Sequence, residues 1–292
     1  MACCGPMAAR VRTPLLWRAL MWFDRFLVVT TARLEVTGTI PEHLRGRPFL
    51  IAANHIGVFD VMTVLAACHR IGVHPRFLAT AGLFRAPVVG SILRACGHLR
   101  VDRGSDSAVV ALDRVVAALG HGRPVVVYPE GRISLDPGLW PERGKTGVGR
   151  MALAAGVPVV PVSQWGAHEV IAWGARSSGP RVLRLQAASW FRAALRRPVL
   201  RVHFGTPVDL TELDPRDRDA PLRARDRVMV AITRGLVGLR ADEPELPRFV
   251  DPTRPTTAVS PWRPRAGVVP AEPGPSVCEA AGSESGHPGG AG

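Results

Sequence analysis

The sequence has a single lysine, Lys145, against 36 arginines, and none of its five cysteines is paired at the Cys-x-x-Cys spacing. Scattered cysteines of this kind form neither a disulfide framework nor a cysteine-type zinc site. No apolar run reaches the roughly 18 residues of an ordinary membrane-spanning helix. Apolar residues nevertheless make up 47% of the chain, so we expect a large buried core.

Negative charge is scarce before the last fifty residues. The formal net charge is +13, of which residues 1–240 carry +16 and residues 241–292 carry −3. A cationic body attracts phosphates, anionic lipid headgroups or nucleic acid, and charge alone does not choose among them. Residues 242–292 are rich in Pro, Gly, Ser and Thr with little periodicity, which predicts a disordered tail.

An aromatic segment near the start of the chain is predicted to form an amphipathic helix. Residues 15–29 carry two tryptophans and two phenylalanines among arginines, a composition typical of a helix in the membrane interface. The alternative is an ordinary amphipathic helix packed on the body. We assign residues 1–34 to a membrane-interface segment and residues 35–241 to the main domain. We expect peripheral attachment to the cytoplasmic face of the cell membrane.

Apolar runs alternate with helical patterns along the main domain. Several strands are apolar throughout, which indicates an α/β fold with a mostly parallel central sheet flanked by helices. Ligands bind beyond the carboxyl ends of strands in such sheets. We therefore expect His55, Arg103 and Glu130, which follow predicted strands, to converge at one edge. Strands are predicted at 34–38, 48–53, 76–80, 98–101, 124–128, 157–162 and 199–204, and helices at 60–69, 88–96, 105–119, 147–155 and 221–240.

A histidine and an aspartate stand five residues apart after the strand predicted at 48–53, namely His55 and Asp60. Histidine exchanges protons near neutral pH and can take one from a hydroxyl. A nearby carboxylate can hold the other ring nitrogen and orient the ring. By itself the pair is a weak signal, because short spacings of this kind arise by chance. Asp60 is also typical of a residue that caps the following helix.

Three further segments extend the His55 motif to a pattern of four blocks. Their order, spacing and content resemble the four blocks of the glycerolipid acyltransferases that acylate 1-acylglycerol-3-phosphate. The resemblance covers about residues 35–210, and the loop at 136–147 resembles that of actinobacterial members. The three segments are residues 84–104 with Val101-Asp102-Arg103-Gly104 at their end, Tyr128-Pro129-Glu130-Gly131-Arg132-Ile133-Ser134, and Gly156-Val157-Pro158-Val159-Val160-Pro161-Val162.

The resemblance implies an acyl transfer that forms no acyl-enzyme. His55 would take the proton from the free hydroxyl of a lysolipid, and Asp60 would orient His55. The resulting alkoxide would attack the thioester of acyl-CoA or acyl carrier protein and yield phosphatidic acid, a step in phospholipid biosynthesis. The acyl donor is a co-substrate, and we expect neither a cofactor nor a metal ion.

The resemblance also assigns residues to the acceptor. Arg103 would hold the acceptor phosphate as a charge-assisted partner, and Glu130 and Gly131 would help bind glycerol phosphate. The third block departs from the family pattern of Glu-Gly-Thr-Arg, because its arginine stands third, at Arg132, and the fourth position is Ile133.

The missing fourth-position arginine needs a substitute if the acceptor carries a phosphate. Arg132 is adjacent to the fourth position, but neighbouring side chains on a loop point in different directions. Lys145 and Arg143 stand further along the same loop, and either is a candidate for the cation. The departure leaves the acceptor headgroup open, so transfer to another lysolipid or glycolipid is the closest alternative.

Two other classes share single features with this chain. Gly144-Lys145-Thr146 is similar to the end of a phosphate-binding loop, but the first glycine of that motif would fall on Leu139. A basic nucleic-acid-binding protein would explain the charge but not the four blocks, and no binding module is recognisable. We therefore expect a membrane lipid acceptor and an anionic membrane surface as partners, and no nucleic acid.

Overall fold

The chain folds around a seven-stranded sheet with helices on both faces, in a computed structural model that describes residues 13–101, 105–172, 179–251 and 260–263. The strands are β1 (Arg33–Gly38), β2 (Leu50–Ala53), β3 (Arg76–Thr80), β4 (Leu99–Val101), β5 (Val125–Val127), β6 (Val159–Trp165) and β7 (Val199–Phe204). The helices are α1 (Leu15–Thr31), α2 (Asp60–Arg70), α3 (Ala81–Arg85), α4 (Pro87–Ala95), α5 (Ser105–Gly120), α6 (Gly147–Ala155), α7 (Pro180–Arg196) and α8 (Ala220–Leu239).

The sheet is parallel except at one junction. Its strand order is β1-β7-β6-β2-β5-β3-β4, and the only antiparallel neighbours in it are β6 and β7. The predicted α/β class with a mostly parallel sheet is confirmed. Because β7 and β1 run against the other five strands, they begin at the edge where β2, β5 and β6 end. Helices α1 and α7, which lead into β1 and β7, therefore end at that same edge.

The central strand β2 is buried on both faces. Ile51 and Ala53 point into a core shared with α1 and α2, whereas Leu50 and Ala52 point into a core shared with α5, α6 and α8. All four side chains have no exposed surface. Burial on both faces is the reason why this strand reads as a continuous apolar run rather than an alternating one.

Helix α7 is an element that the sequence analysis leaves unassigned. Its buried positions include Ser189 and Ala193, whereas Leu183 and Phe191 are 68% and 67% exposed. The large apolar residues therefore do not mark the packed face, and apolar periodicity is a poor guide to this helix. Five-residue helix α3 was also unassigned, and the strand predicted at 157–162 is displaced to β6, Val159–Trp165.

Part of the stretch that the sequence assigns to a disordered tail packs on the domain. Residues 242–251 and 260–263 form no helix or strand, yet Glu243 and Ser260 are buried. The Ser260 N–H donates to Asp136 Oδ1 at 2.7 Å. Individual polar contacts hold these residues, and a proline- and glycine-rich composition does not reveal such contacts. The division of the chain into three segments remains a prediction.

Helix α1 has one face against the domain and one face open. Trp17, Met21 and Val28 are buried, whereas Trp22 and Phe26 are 63% and 48% exposed. None of the helices in the described residues is long and apolar enough to cross a membrane. The helix predicted at 15–29 thus has the amphipathic character expected from its sequence.

One acidic side chain, Asp24, lies on the buried face of α1. Its Oδ2 atom has no hydrogen-bond partner within the described part of the chain. Burial raises the pKa of Asp24 from 3.8 to about 8, because the charged form loses its hydration. The carboxyl is therefore protonated over a pH range in which an exposed aspartate is ionised.

We predict that Asp24→Asn makes stability less dependent on pH. Between about pH 4 and pH 8 the folded chain keeps a proton on Asp24 that the unfolded chain releases, so stability falls by at most about 1.4 kcal/mol per pH unit as pH rises. The stabilising contribution is complete below pH 4 and is lost as pH rises through about 8. Urea unfolding at pH 5 and pH 8 measures the difference.

The exposed change Glu245→Gln serves as the control for the Asp24 experiment and should leave the pH dependence unaltered. An identical loss of stability between the two pH values in wild type and Asp24→Asn would refute the assignment.

Candidate active site

A hydrogen bond joins two side chains of the loop between β2 and α2. His55 Nδ1 and Asp60 Oδ2 are 2.7 Å apart. A carboxylate only accepts hydrogen bonds, so Nδ1 carries the proton and Nε2 keeps a lone pair. The Asp60 side chain has no exposed surface, whereas 17% of the His55 side chain is exposed. The histidine is therefore the member of the pair that a substrate can reach.

Asn54 positions the loop by continuing the β2–β6 pairing after β2 has ended. Its Oδ1 accepts the Gln164 N–H at 2.8 Å, and its Nδ2 donates to the Gln164 carbonyl at 3.0 Å. The Gln164 Nε2 atom donates in return to the Asn54 carbonyl at 3.0 Å. The Asn54 side chain thus takes the place of the backbone hydrogen bonds that end where the chain leaves β2. The buried backbone N–H and carbonyl of Gln164 therefore keep hydrogen-bond partners.

The Asp60 carboxylate closes the loop rather than capping the helix. Its Oδ2 atom also accepts the backbone N–H groups of Ile56 and Gly57, the latter at 2.9 Å. No side chain caps the start of α2, so the helix-capping interpretation of Asp60 is wrong. One oxygen therefore receives three donors, which hold the carboxylate in the orientation that meets His55.

A tyrosine ring supports the imidazole from one side. The His55 and Tyr128 rings are stacked with centroids 4.3 Å apart and an interplanar angle of 25°. Tyr128 follows β5 directly, the strand adjacent to β2. Burial raises the pKa of Tyr128 well above its usual range, and the Asp60 charge adds to the rise. The phenol therefore stays neutral and orients the imidazole by stacking.

Glu130 connects the backbone of His55 to the loop after β5. Its Oε1 atom accepts the His55 N–H at 2.7 Å, and its Oε2 atom accepts the Glu142 N–H at 2.8 Å. The side chain is 3% exposed. Burial raises the pKa of Glu130 to about 8, although both N–H groups act in the opposite direction. The Ser134 N–H donates to the His55 carbonyl at 2.7 Å. The loop after β5 therefore forms hydrogen bonds with both the N–H and the carbonyl of His55.

The same loop, residues 129–146, is braced across its width by Glu142. Glu142 Oε1 accepts the Leu135 N–H at 2.7 Å. Its Oε2 atom accepts Arg132 Nε at 3.0 Å and Arg132 Nη2 at 2.6 Å. The Arg132 guanidinium is therefore directed along the loop towards a carboxylate that already neutralises it.

Lys145 crosses over Gly131 at the start of this loop. Gly131 has φ +69°, a conformation that side chains rarely adopt, and a Cβ placed on it would lie 3.1 Å from Lys145 Nζ. The Lys145 N–H donates to the Pro129 carbonyl at 2.8 Å. Glycine thus leaves room for the ammonium group beside the residues that follow β5.

Two buried polar residues anchor the far end of the loop. Asp136 Oδ2 accepts the Gly138 and Trp140 N–H groups at 2.9 and 3.1 Å. The Arg240 guanidinium lies between the rings of Trp140 and Trp165, 4.0 and 4.2 Å from their centroids. Its Nη1 donates to the Gly138 carbonyl at 2.6 Å. A cation between two aromatic faces with its N–H groups satisfied fixes the loop to α8.

The predicted site residues fall into three groups. His55, Asp60, Glu130 and Gly131 come together at the carboxyl ends of β2 and β5, as the strand pattern predicts. Arg103 lies outside the described residues, and its role remains a prediction. The remaining two, Arg132 and Lys145, stand on the loop after β5, with Arg132 engaged by Glu142.

Sequence reasoning missed three residues that shape the site: Asn54 as a strand extender, Glu142 and Arg240. Asn54 and Arg240 act through contacts with residues 110 and 102 positions away along the chain, whereas the Glu142 side chain contacts residues 7 and 10 positions away on its own loop. No spacing pattern encodes such contacts. Among the described residues no group of three or more His, Cys, Asp or Glu side chains is placed to hold a metal ion, and the expectation of metal-free chemistry remains a prediction.

Part of the chain is similar to known acyltransferases. Residues 33–165 match the family described as Acyltransferase. The chain is 30% identical over 128 residues to the chloroplastic 1-acyl-sn-glycerol-3-phosphate acyltransferase BAT2 of Brassica napus, which covers 44% of this chain and 36% of that protein. It is 30% identical over 155 residues to the lyso-ornithine lipid O-acyltransferase of Pseudomonas aeruginosa, which covers 52% of this chain and 55% of that protein.

A solved structure shares the fold. The 1-acyl-sn-glycerophosphate acyltransferase PlsC from Thermotoga maritima superposes with a TM-score of 0.54 at 23% identity, over 77% of this chain and 80% of that chain. The two curated relatives are matched over only 36% and 55% of their own lengths. The likeness to the solved structure supports the α/β fold. The sequence matches support an acyltransferase domain within residues 33–165.

We predict that Glu130→Ala lowers both stability and turnover. The change leaves two backbone N–H groups without acceptors, which costs about 1–3 kcal/mol of unfolding free energy. It also frees the His55 backbone, and a small displacement of a catalytic group can cost about a hundredfold in rate. Glu130→Gln should fall between Ala and wild type, because its amide keeps one acceptor and turns a donor towards the other N–H.

Thermal unfolding and steady-state kinetics measure the two effects of the Glu130 changes. The control is Glu212→Ala, an exposed carboxylate paired with Arg227 at 3.2 Å, which should change stability by less than about 0.5 kcal/mol. A Glu130→Ala protein as stable and as active as wild type would show that the two hydrogen bonds do not position His55.

Proposed function

We propose that this protein transfers an acyl chain from acyl-CoA or acyl carrier protein to the free hydroxyl of 1-acylglycerol-3-phosphate, because residues 33–165 match the Acyltransferase family. The product is phosphatidic acid. The observation that carries the proposal is the His55–Asp60 pair, in which Nδ1 is held at 2.7 Å and Nε2 has no partner among the described residues. That arrangement suits a general base.

The proposed reaction is a direct transfer. His55 Nε2 takes the proton from the acceptor hydroxyl while the hydroxyl oxygen attacks the thioester carbonyl, and the C–S bond breaks to release a thiolate as the ester forms. Asp60 stabilises the imidazolium that results. Positioned general-base catalysis of this kind contributes about 10²–10⁴-fold in rate. The proton on His55 is then available for the departing thiolate.

Lys145 is the cation that we propose for the acceptor phosphate on the loop after β5. Arg132 is directed to Glu142 at 2.6 Å, so its charge is largely offset. Lys145 is exposed beside Gly131, a residue of the third block, and that block lacks its usual arginine. Arg103, by the family resemblance, would supply a second cation.

A second candidate function is the same transfer to another lysolipid or glycolipid. Ile133 stands where the family has its arginine, and one relative is named for a lyso-ornithine lipid acceptor. The two candidates share the base and the donor and differ in what the loop cations bind. Activity with a panel of lysolipid acceptors separates them.

We also propose that the protein attaches to the cytoplasmic face of the membrane through α1. The helix exposes Leu15, Trp22, Phe23 and Phe26, which are 48–79% exposed. Aromatic side chains of this kind favour the headgroup region of a bilayer. A lysolipid acceptor resides in that region, so attachment there gives the enzyme access to its substrate.

We predict that His55→Ala and Asp60→Asn fold like wild type and lose acceptor-dependent thiol release. His55→Ala should lower kcat by about 10²–10⁴-fold, because the proton acceptor is removed. Asp60→Asn should lower kcat as well, because a neutral amide stabilises the imidazolium less than a carboxylate does. The assay follows free thiol from oleoyl-CoA with lysophosphatidic acid in detergent micelles.

His121→Ala, a change of an exposed histidine at the end of α5, is the control for the base experiment and should keep full activity. Near-wild-type turnover in either site variant, with circular dichroism unchanged, would exclude the base assignment. If wild type releases no thiol, acyl carrier protein and a panel of lysolipids test the second candidate.

We predict that Lys145→Ala raises the acceptor KM by about tenfold, as expected for loss of one charge-assisted contact, with kcat little changed. Lys145→Arg should restore most of the affinity, since it restores the charge. Arg150→Ala, which removes an exposed cation from α6, is the matched control. A KM that Lys145→Ala leaves unaltered for lysophosphatidic acid would move the phosphate site to Arg132 or Arg103.

A further inference from the structure

Helix α7 carries a row of large apolar side chains on its outer face. Leu183, Phe191 and Leu195 are 68%, 67% and 72% exposed, and Trp190 is 40% exposed. Their spacing of i, i+7, i+8 and i+12 places them on one side of a helix. Exposed apolar patches of this kind on a folded domain mark a surface that binds a membrane or another protein.

Every charge on α7 is positive. The helix contains Arg181, Arg184, Arg192 and Arg196 and no acidic residue. These arginines are exposed on the same helix as the apolar row. On α1 the one acidic side chain, Asp24, is buried. The outer surfaces of both helices therefore combine apolar side chains with positive charge, which complements an anionic lipid surface.

Helices α1 and α7 are joined to each other. Trp190 Nε1 donates to Thr31 Oγ1 at 3.0 Å, and Arg197 Nη2 donates to the Val29 carbonyl at 2.6 Å. Val28 of α1 and Ala193 of α7 belong to one buried cluster. The exposed rows of the two helices are therefore neighbouring parts of a single side of the protein.

That buried cluster also contains a residue of the catalytic loop. Phe59, the neighbour of Asp60, is 1% exposed and packs in the same cluster as Val28 and Ala193. The loop itself exposes Val58, at 38%. Because α1 and α7 both end at the edge where β2 ends, their outer faces lie beside the loop that carries His55.

We propose that α7 is a second membrane-docking helix, which forms with α1 one apolar, arginine-flanked face that seats the catalytic loop on an anionic bilayer. The proposal rests on the membrane attachment proposed above and extends it to an element far from the N-terminal segment. A bilayer is favoured over a protein partner because the charges of the face are of one sign and stand next to aromatic side chains.

Binding of the full-length protein to sedimented vesicles tests the proposal. The vesicles are phosphatidylcholine with and without phosphatidylglycerol. Phe191→Ser with Leu195→Ser should lower binding to both kinds at least about tenfold. Arg184→Glu with Arg192→Glu should remove most of the preference for phosphatidylglycerol, again by about tenfold or more. Leu183→Ser, on the same row, provides a second apolar variant should the first pair destabilise the fold.

Matched controls change the opposite side of the protein. Val110→Ser with Leu222→Ser alters two exposed apolar residues of α5 and α8, and Arg216→Glu with Arg218→Glu alters two exposed arginines before α8. Both should bind vesicles like wild type. Acyl transfer to a micellar acceptor should stay within about twofold of wild type in all α7 variants, because micelles bypass docking.

Two results would overturn the proposal. One is wild-type binding by the α7 variants, which would leave α1 as the docking element. The other is a wild-type dimer in lipid-free solution that becomes monomeric with Phe191→Ser and Leu195→Ser, which would make the face a subunit interface. An absence of acyl transfer by wild type in micelles would instead count against the proposed reaction, whatever the vesicles show.

Discussion

The site depends on one buried carboxyl group. Glu130 takes the His55 N–H on one oxygen and the Glu142 N–H on the other, and so ties the loop after β2 to the loop after β5. The two loops also share the Ser134 contact, the stacking of His55 on Tyr128, and a buried apolar cluster that contains Ile56, Leu139 and Trp140. The cost of burying Glu130 is visible in its raised pKa. The two peptide N–H groups offset part of that cost, and the histidine gains a fixed backbone.

The second constraint is the reversal of direction between β6 and β7. A fully parallel sheet would place the starts of β1 and β7 at the edge opposite His55. The antiparallel junction moves them to the edge of the site, and the ends of α1 and α7 follow. The loop that carries His55, helix α1 and helix α7 are thereby gathered at one side through Phe59, Val28 and Ala193. The arrangement suits the proposed reaction, in which a lipid acceptor would reach His55 at this surface.

Charge is used differently in the site and on the outer surface. Near the site, Arg132 is directed to Glu142, and Arg240 is enclosed by two tryptophans. These arginines hold the loop after β5 in shape, and Lys145 beside Gly131 stays exposed. On α7, arginines are exposed beside apolar side chains and suit a lipid surface. Positive charge therefore stabilises the loop after β5 and, on α7, supports the proposed docking face.

The strands, most helices and the pairing of His55 with Asp60 were open to prediction, because buried runs and local spacing report on neighbours within a few residues of the chain. Helix α7 was not, since its large apolar side chains point outwards and its packed positions are small or polar. Amino-acid order alone determined the α/β class, the position of the His55–Asp60 pair and the break in the third block. Tertiary structure decided what Asn54, Glu130 and Arg132 contact and which faces of α1 and α7 remain open, because those outcomes depend on groups about 10 to 110 residues apart that only folding brings together.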